Sequence, residues 1–494
     1  MPQTDSASDS VRTTPATPAT SPTGSIPTPR AWAVVLTACA GQFLVVLDVS
    51  VVNVALPSMR TDLGLSALGL QWVLNAYAIA FAGFMLLGGR ASDLYGRKAM
   101  FLLGLGLFTA ASVAGGLAQE GWQLVAARAA QGLGAAVLSP ATLTLITAAV
   151  PAGAARTRAI GTWTAVGAAG GAAGGFVGGV LVDLLSWRWV LLINVPVGVL
   201  VLAGALVWLR ESRTRGVRRR LDLPGAVLVT AGLATLAYGI VQTEEAGWTA
   251  PATLVTLLGG LALLGVFVVV EARTAEPLMR LDIFRTRAVS AANVAILLCG
   301  SSSFSMWFFM TTYAQSVLAY TPLQAGLALV PSSLAVVLGS KAAPHLMPAV
   351  GARNLAVIGA LVGAAGFAWQ STLTADGTFL GTILGPGILM MAGLGLATTP
   401  LAALATSSAA PSDAGLVSGL VNTSRTMGGA LGLAVLSTIA AAAAPAVTSA
   451  AADPSSLVPG YAMAFRVATG VLVGAAVLML LWLPKPARTV VGRG

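Results

Sequence analysis

Residues 32–57 read WAVVLTACAGQFLVVLDVSVVNVALP, an apolar stretch that holds a single carboxylate, Asp48, and closes on Pro57. A helix of about 20 apolar residues crosses a ~30 Å hydrocarbon core, and this stretch is long enough to do so. Backbone polar groups in hydrocarbon must bond within their own segment, so the stretch reads as a helix. Working outward, similar runs recur at about 71–89, 98–118, 122–148, 160–182, 188–209, 223–243, 252–271, 288–312, 322–342, 354–373, 378–402, 414–444 and 462–484, which makes fourteen candidate spans. The period-2 alternation of a membrane barrel is missing from them. Composition agrees: 56% of residues are hydrophobic and only 9% charged, with a mean hydropathy of +0.85. Soluble domains carry about 25% charged residues. The fold class expected is all-α and integral to a membrane.

The net charge of +10 is distributed as topology demands rather than as a nucleic-acid footprint. Basic residues gather on alternate connections, most densely from Arg210 to Arg220, whereas the other connections hold Arg60, Arg188 and, near a boundary, Arg466. Positive segments stay on the cytoplasmic side. The expected orientation in the plasma membrane therefore has an even number of spans and both termini in the cytoplasm. Residues 1–30, rich in Ser, Thr and Pro without an apolar core, read as a disordered cytoplasmic tail. Cys39 and Cys299 fall inside apolar runs and read as small buried hydrophobes.

Enzymatic chemistry finds little to build on. Lys98, Lys341 and Lys485 are the three lysines, and none follows a phosphate-cradling glycine loop. His345 is the single histidine. The expectation is no enzyme, no metal and no cofactor, with energy drawn from an ion gradient.

Polar residues inside the spans carry the functional signal. A carboxylate at mid-membrane costs about 2.5–3.5 kcal/mol on insertion scales, so Asp48 requires a reason. Heptad spacing sets Gly41, Asp48 and Ala55 on one helix face, where small neighbours allow either close packing or a cavity. Removal from water favours the neutral acid and a nearby cation favours the carboxylate; a group held between the two can carry a proton. The alternative is a fixed ion pair between helices. Arg128 is a second intramembrane charge; it keeps its own proton, and it can tune a carboxylate, bind an acid or cross-link helices. Arg425 is a third candidate. In the fifth span Gly167, Gly171, Gly175 and Gly179 repeat every four residues, with Gly170, Gly174 and Gly178 beside them, a face that admits close helix packing. Between spans two and three, Gly89 to Lys98 reads as a short loop, either a conformational latch or ordinary capping beside topogenic charge.

Several motifs together resemble the major facilitator superfamily, in particular its fourteen-span drug:proton antiporter branch. Gly89-Arg90-Ala91-Ser92-Asp93-Leu94-Tyr95-Gly96-Arg97-Lys98 is similar to the family's loop motif, and Arg128-Ala129-Ala130-Gln131-Gly132-Leu133-Gly134 to its fourth-span arginine motif. Leu47-Asp48 through Leu56-Pro57 resembles the first-span motif; Trp187 to Val190, Ile193 to Gly198 and Ser418 to Arg425 with Gly428-Gly429 also match. The resemblance covers residues 32–484. It implies a six-helix bundle over 31–210, a basic loop with two inserted helices over 211–287, a second six-helix bundle over 288–485, and a tail at 486–494. It also implies an alternating central cavity, with Asp48 and Arg128 in proton coupling and Gly89, Asp93, Gly96, Arg97 and Lys98 in gating. Asn53, Asn75, Tyr77, Trp163, Asn293, Trp307, Tyr313 and Gln315 are the candidate cavity contacts. Two departures stand out: the fifth span reads Gly174-Gly175 where the antiporter motif usually carries Gly-Pro, and the second-half loop counterpart has Pro348 at a position where an acid could stand.

The function expected on this resemblance is export of a hydrophobic or amphipathic drug or antibiotic in exchange for protons. The partners would be a small-molecule substrate, protons and lipid, for a monomer that binds no nucleic acid. Uptake symport of a metabolite, or a non-transporting receptor or scaffold, are the alternatives.

Overall fold

The computed structural model describes residues 29–151, 154–211, 221–275, 277–408, 414–444 and 454–484. The tails at 1–28 and 485–494 and the basic segment 212–220, read from the sequence as cytoplasmic tails and a charged loop, lie outside the described residues. The chain forms α1 (Pro29–Leu63), α2 (Ala67–Tyr95), α3 (Arg97–Gly116), α4 (Gly121–Ala149), α5 (Ala154–Leu184), a short α6 (Arg188–Leu192) continued by α7 (Asn194–Trp208), then α8 (Leu223–Ala246) and α9 (Pro251–Arg273). After a 3-10 turn come α10 (Arg287–Ser316), α11 (Pro322–Val350), α12 (Ala352–Gln370), α13 (Gly385–Ser407), α14 (Ala414–Ala443) and α15 (Val458–Trp482). With α6 and α7 taken as one, these give 14 helices long and apolar enough to cross a membrane, the number read from the sequence.

Helix starts follow local chemistry. Ser66 Oγ accepts from the Gly69 amide, Thr321 and Gln324 form a capping box ahead of α11, and Pro322 and Pro251 sit in first turns where a missing N–H is harmless. The terminal carbonyls of α15 are taken by arginines: Arg287 donates to Trp482 and Leu481, and Arg353 donates to Leu480.

Two boundaries differ from the sequence reading, for one physical reason. Residues 89–95 are not loop: α2 runs on to Tyr95, and its corner with α3 is a single residue, Gly96, at φ 109°. Likewise α11 continues past residue 342 to Val350, takes Lys341 and His345 into the helix, and turns at Gly351, φ 85°. Charge and proline looked like punctuation. Membrane helices tolerate internal proline when neighbours re-satisfy the backbone, and α11 contains Pro331, Pro344 and Pro348.

The packing repeats itself. In the first half α1 lies on α5, α2 on α4, and α3 on α4; in the second α10 lies on α14, α11 on α13, and α12 on α13. The α8–α9 pair docks through α8 onto α2 and α14. Between the halves the main contacts are α5 with α11 and α2 with α14. Large apolar side chains such as Leu200, Val255, Leu258 and Leu481 are exposed on the outside. In water such a surface would be a liability; facing lipid it is the ordinary surface of a spanning bundle.

Candidate functional site

Asp48 lies midway along α1 and is completely buried, as is Arg128 at 1% exposure. Arg128 Nη1 stands 2.5 Å from Asp48 Oδ2. The other carboxylate oxygen, Oδ1, accepts from Asn194 Nδ2 at 2.8 Å and Gln131 Nε2 at 3.1 Å. Arg128 also donates to Gln131 Oε1 at 2.8 Å and, through Nε, to the Val73 carbonyl at 3.1 Å. Its guanidinium lies over the Tyr77 ring, 4.4 Å from the centroid. Ser112 Oγ closes the network by accepting from Gln131 at 2.7 Å. Thus α1, α2, α3, α4 and α7 are tied at one point, with both charges compensated as a buried pair requires.

The sequence set out two readings of Asp48, a group facing a shared passage and a fixed pair between helices. The geometry brings Asp48 and Arg128 together as expected of either. In this structure Asp48 has no exposure, and every hydrogen-bond partner of its carboxylate belongs to the first half. Gly41, one heptad earlier, explains this. A Cβ there would lie 3.0 Å from the Phe101 ring, so the small-residue face serves close packing instead of a cavity.

Among the candidate cavity residues the outcome is mixed. Gln315 bridges the halves, donating to the Val54 carbonyl at 2.8 Å. Asn293 is buried, donates to Val289 on its own helix and accepts from Ser424 of α14 at 3.1 Å. Trp163 is held within the first half by a bond to Thr142 Oγ1, and Tyr313 is buried with its hydroxyl on the Thr374 carbonyl. Asn53 bonds its own helix at Val49; Trp307 is half-buried. Asn75 and the Tyr77 hydroxyl are buried without a hydrogen-bond partner among the described residues.

At the corner between α2 and α3, Lys98 Nζ donates to the Leu206 carbonyl and Glu211 accepts from the Ala99 amide, while Arg90 donates to the Pro277 carbonyl at 2.6 Å. Asp93 lies in the last turns of α2, and Arg97 opens α3. A side chain on Gly96 would meet the Glu211 carboxylate, and its positive φ already favours glycine.

The glycine face of α5 divides in two. A Cβ on Gly175 would lie 2.9 Å from the Gly326 carbonyl of α11, and one on Gly179 only 2.5 Å from Leu323 Cα. Gly167 and Gly171 instead look towards α1, with Gln42 and Val46 at 3.7 and 3.6 Å. Gly170, Gly174 and Gly178 press more tightly on α1. Small-xxx-small packing therefore operates on two sides of one helix.

Sequence reasoning quoted Gln131 and Asn194 inside motifs without giving them a role, and it left Ser112 unmarked. The signal was available: Gln131 is three residues from Arg128 and shares its face. Asn194 is a lone amide in a span of mean hydropathy 2.6.

With this geometry in place, comparison with known proteins is decisive. The chain is 49% identical over 446 residues to the cephamycin export protein of Amycolatopsis lactamdurans, covering 90% of this chain and 89% of that one. It is 38% identical over 471 residues to a puromycin resistance protein of Streptomyces alboniger, covering 94% and 93%. Its fold matches the crystal structure of a bacterial homologue of the human lysosomal transporter Spinster, with TM-score 0.65 at 17% identity over 93% of this chain and 100% of that one. Residues 38–433 match the Major Facilitator Superfamily model. A membrane transporter of drug-efflux type, and not an enzyme, is what these likenesses describe; the chain belongs to the major facilitator superfamily.

Proposed function

We propose that the protein exports an amphipathic antibiotic across the plasma membrane in exchange for protons, with both termini in the cytoplasm. The observation that carries the proton half is the Asp48–Arg128 pair, a mid-span acid whose charge is balanced by one cation. Adding a proton to Asp48 removes that balance. Arg128 then retains Gln131, the Val73 carbonyl and the Tyr77 face, while α1 loses its strongest tie to α4. A proton taken up from outside and released inside gains about 2.3 kcal/mol per 100 mV, so loosening and re-forming this tie couples the gradient to the change of access. Arg97, Lys98 and the Gly96 corner would serve as the gating element at the basic end. The export half is supported by the relatives, whose names concern cephamycin export and puromycin resistance. The fold alone is neutral on direction, because it also hosts a D-xylose–proton symporter.

A second reading is favoured by the complete burial of Asp48: the pair is a permanent clamp of the first bundle. Asp48→Asn in proteoliposomes separates the two. Proton coupling requires that pH-driven efflux of a labelled cephamycin or puromycin falls to background while gradient-free counterflow of the same compound continues. Wild-type pH-driven efflux from that variant, or loss of counterflow together with pumping, leaves the clamp as the better account.

A further inference from the structure

Arg425 stands near the middle of α14. From Ala414 the helix rises about 16 Å to reach it, and about 27 Å remain to Ala443. Neither distance lets a side chain reach an interface easily. The backbone of α14 is pressed against α10 at this point, since a Cβ on Gly300 would lie 2.3 Å from the Arg425 carbonyl. The side chain turns away from that contact. Its Nη2 donates to Asn422 Oδ1 at 2.9 Å, and Asn422 in turn reaches Met85 Sδ of α2 at 3.2 Å. Arg425 therefore sits at the seam of the two halves, on the same helix face as Asn422 and Ser418. Helices α2, α8, α10, α13 and α15 surround α14, yet both Arg425 and Ser418 are exposed. Ser418 and Arg425 are exposed in mid-helix, and Asn422 between them reaches α2 of the opposite half, which sets the stripe beside the seam.

The charge balance is one-sided. Helices α10 to α15 contain no Asp or Glu. In the first half Asp48 is the acid that lies away from a helix end, and Arg128 already holds it. Arg425 thus carries a permanent positive charge, and its hydrogen-bond partner among the described residues is a neutral amide. A guanidinium at mid-membrane depth is costly until an anion meets it. Its planar fork matches a carboxylate bidentately.

The geometry points to Arg425, steadied by Asn422, as the binding site for a carboxylate on the transported compound. This inference rests on the export reading and narrows it to amphipathic organic acids. Asn422 orients the fork from one side, and among the described residues no further hydrogen-bond partner takes the remaining donors.

The test uses the purified full-length protein and two probes, dansyl-phenylalanine and its uncharged methyl ester. Tryptophan-to-dansyl energy transfer measures binding to the wild type, Arg425→Lys and Arg425→Gln, each checked for a monodisperse size-exclusion profile. The wild type is expected to bind the acid at least about ten-fold more tightly than the ester, the scale of one charge-assisted hydrogen bond. Arg425→Lys keeps part of that preference, and Arg425→Gln abolishes it. Equal binding of acid and ester by the wild type, or a preference that survives in Arg425→Gln, overturns the assignment. If Arg425→Gln is not monodisperse, any reduction of the preference in Arg425→Lys decides for the site and a full wild-type preference decides against it. The export reading is scored separately, by pH-driven efflux of the acid from wild-type proteoliposomes: efflux without a preference for the acid sinks the site alone, and a preference for the acid without efflux sinks the export reading alone.

Discussion

Asp48 shows how far a single residue can be read from sequence. Its cost in lipid announced that a partner must exist, and Arg128 was the natural one. What the sequence left open was which way the side chain faces, because that depends on Phe101 and Asn194 arriving from helices distant in the chain. Asn194 has a measurable share in holding the carboxylate. Removing its amide leaves Oδ1 with Gln131 alone, and a hydrogen bond to a charged group contributes about 1.5–3 kcal/mol. Asn194→Ala is expected to lower the detergent-solubilised thermal midpoint, whereas Asn53→Ala, which loses a bond within its own helix, moves it far less. Equal shifts in the two variants would remove Asn194 from the site. Gln131 and Ser112 were harder to foresee, since amides and hydroxyls inside spans bond their own helix as often as a neighbour; Asn53 and Thr312 do so here.

At the scale of elements, α5 was legible as a close-packing helix, but not as one with two packed sides. Periodicity gives a face; it does not say which neighbour presses on it. The difference is testable with small substitutions. A Cβ on Gly326 would lie 1.9 Å from the Gly175 carbonyl, so Gly326→Val must push α11 from α5. Gly171 has its nearest foreign atom at 3.6 Å and should accept a methyl group. Gly326→Val is expected to cut transport severely and to raise the reactivity of a cysteine placed at Leu323, whose backbone faces Gly179 across the seam, while Gly171→Ala transports as the wild type does. Normal transport by Gly326→Val would show that this seam need not close. The corners at Gly96 and Gly351 carry a related lesson: the glycines were visible, but the helices run up to them on both sides because a membrane helix need not end at a charge or a proline.

For the whole molecule, span number and family were readable because every crossing needs its own apolar run and each run must be punctuated. Arrangement was not readable, since the pairing of α1 with α5 and α10 with α14 is set by contacts remote in sequence. The proposed orientation makes a direct prediction. Thr61 and Arg210 are exposed near opposite ends of the bundle, and the native thiols Cys39 and Cys299 are buried. In intact cells a membrane-impermeant maleimide should label Thr61→Cys and spare Arg210→Cys until the membrane is opened; the reverse pattern inverts the topology.

The place where Gly175 meets Gly326 has one more consequence. Main chain rests on main chain there, so no rotamers are frozen when the surfaces close and none are freed when they part. A joint of that kind can open and shut through many turnovers with little entropic friction, as a zipper of interlocking leucines could not.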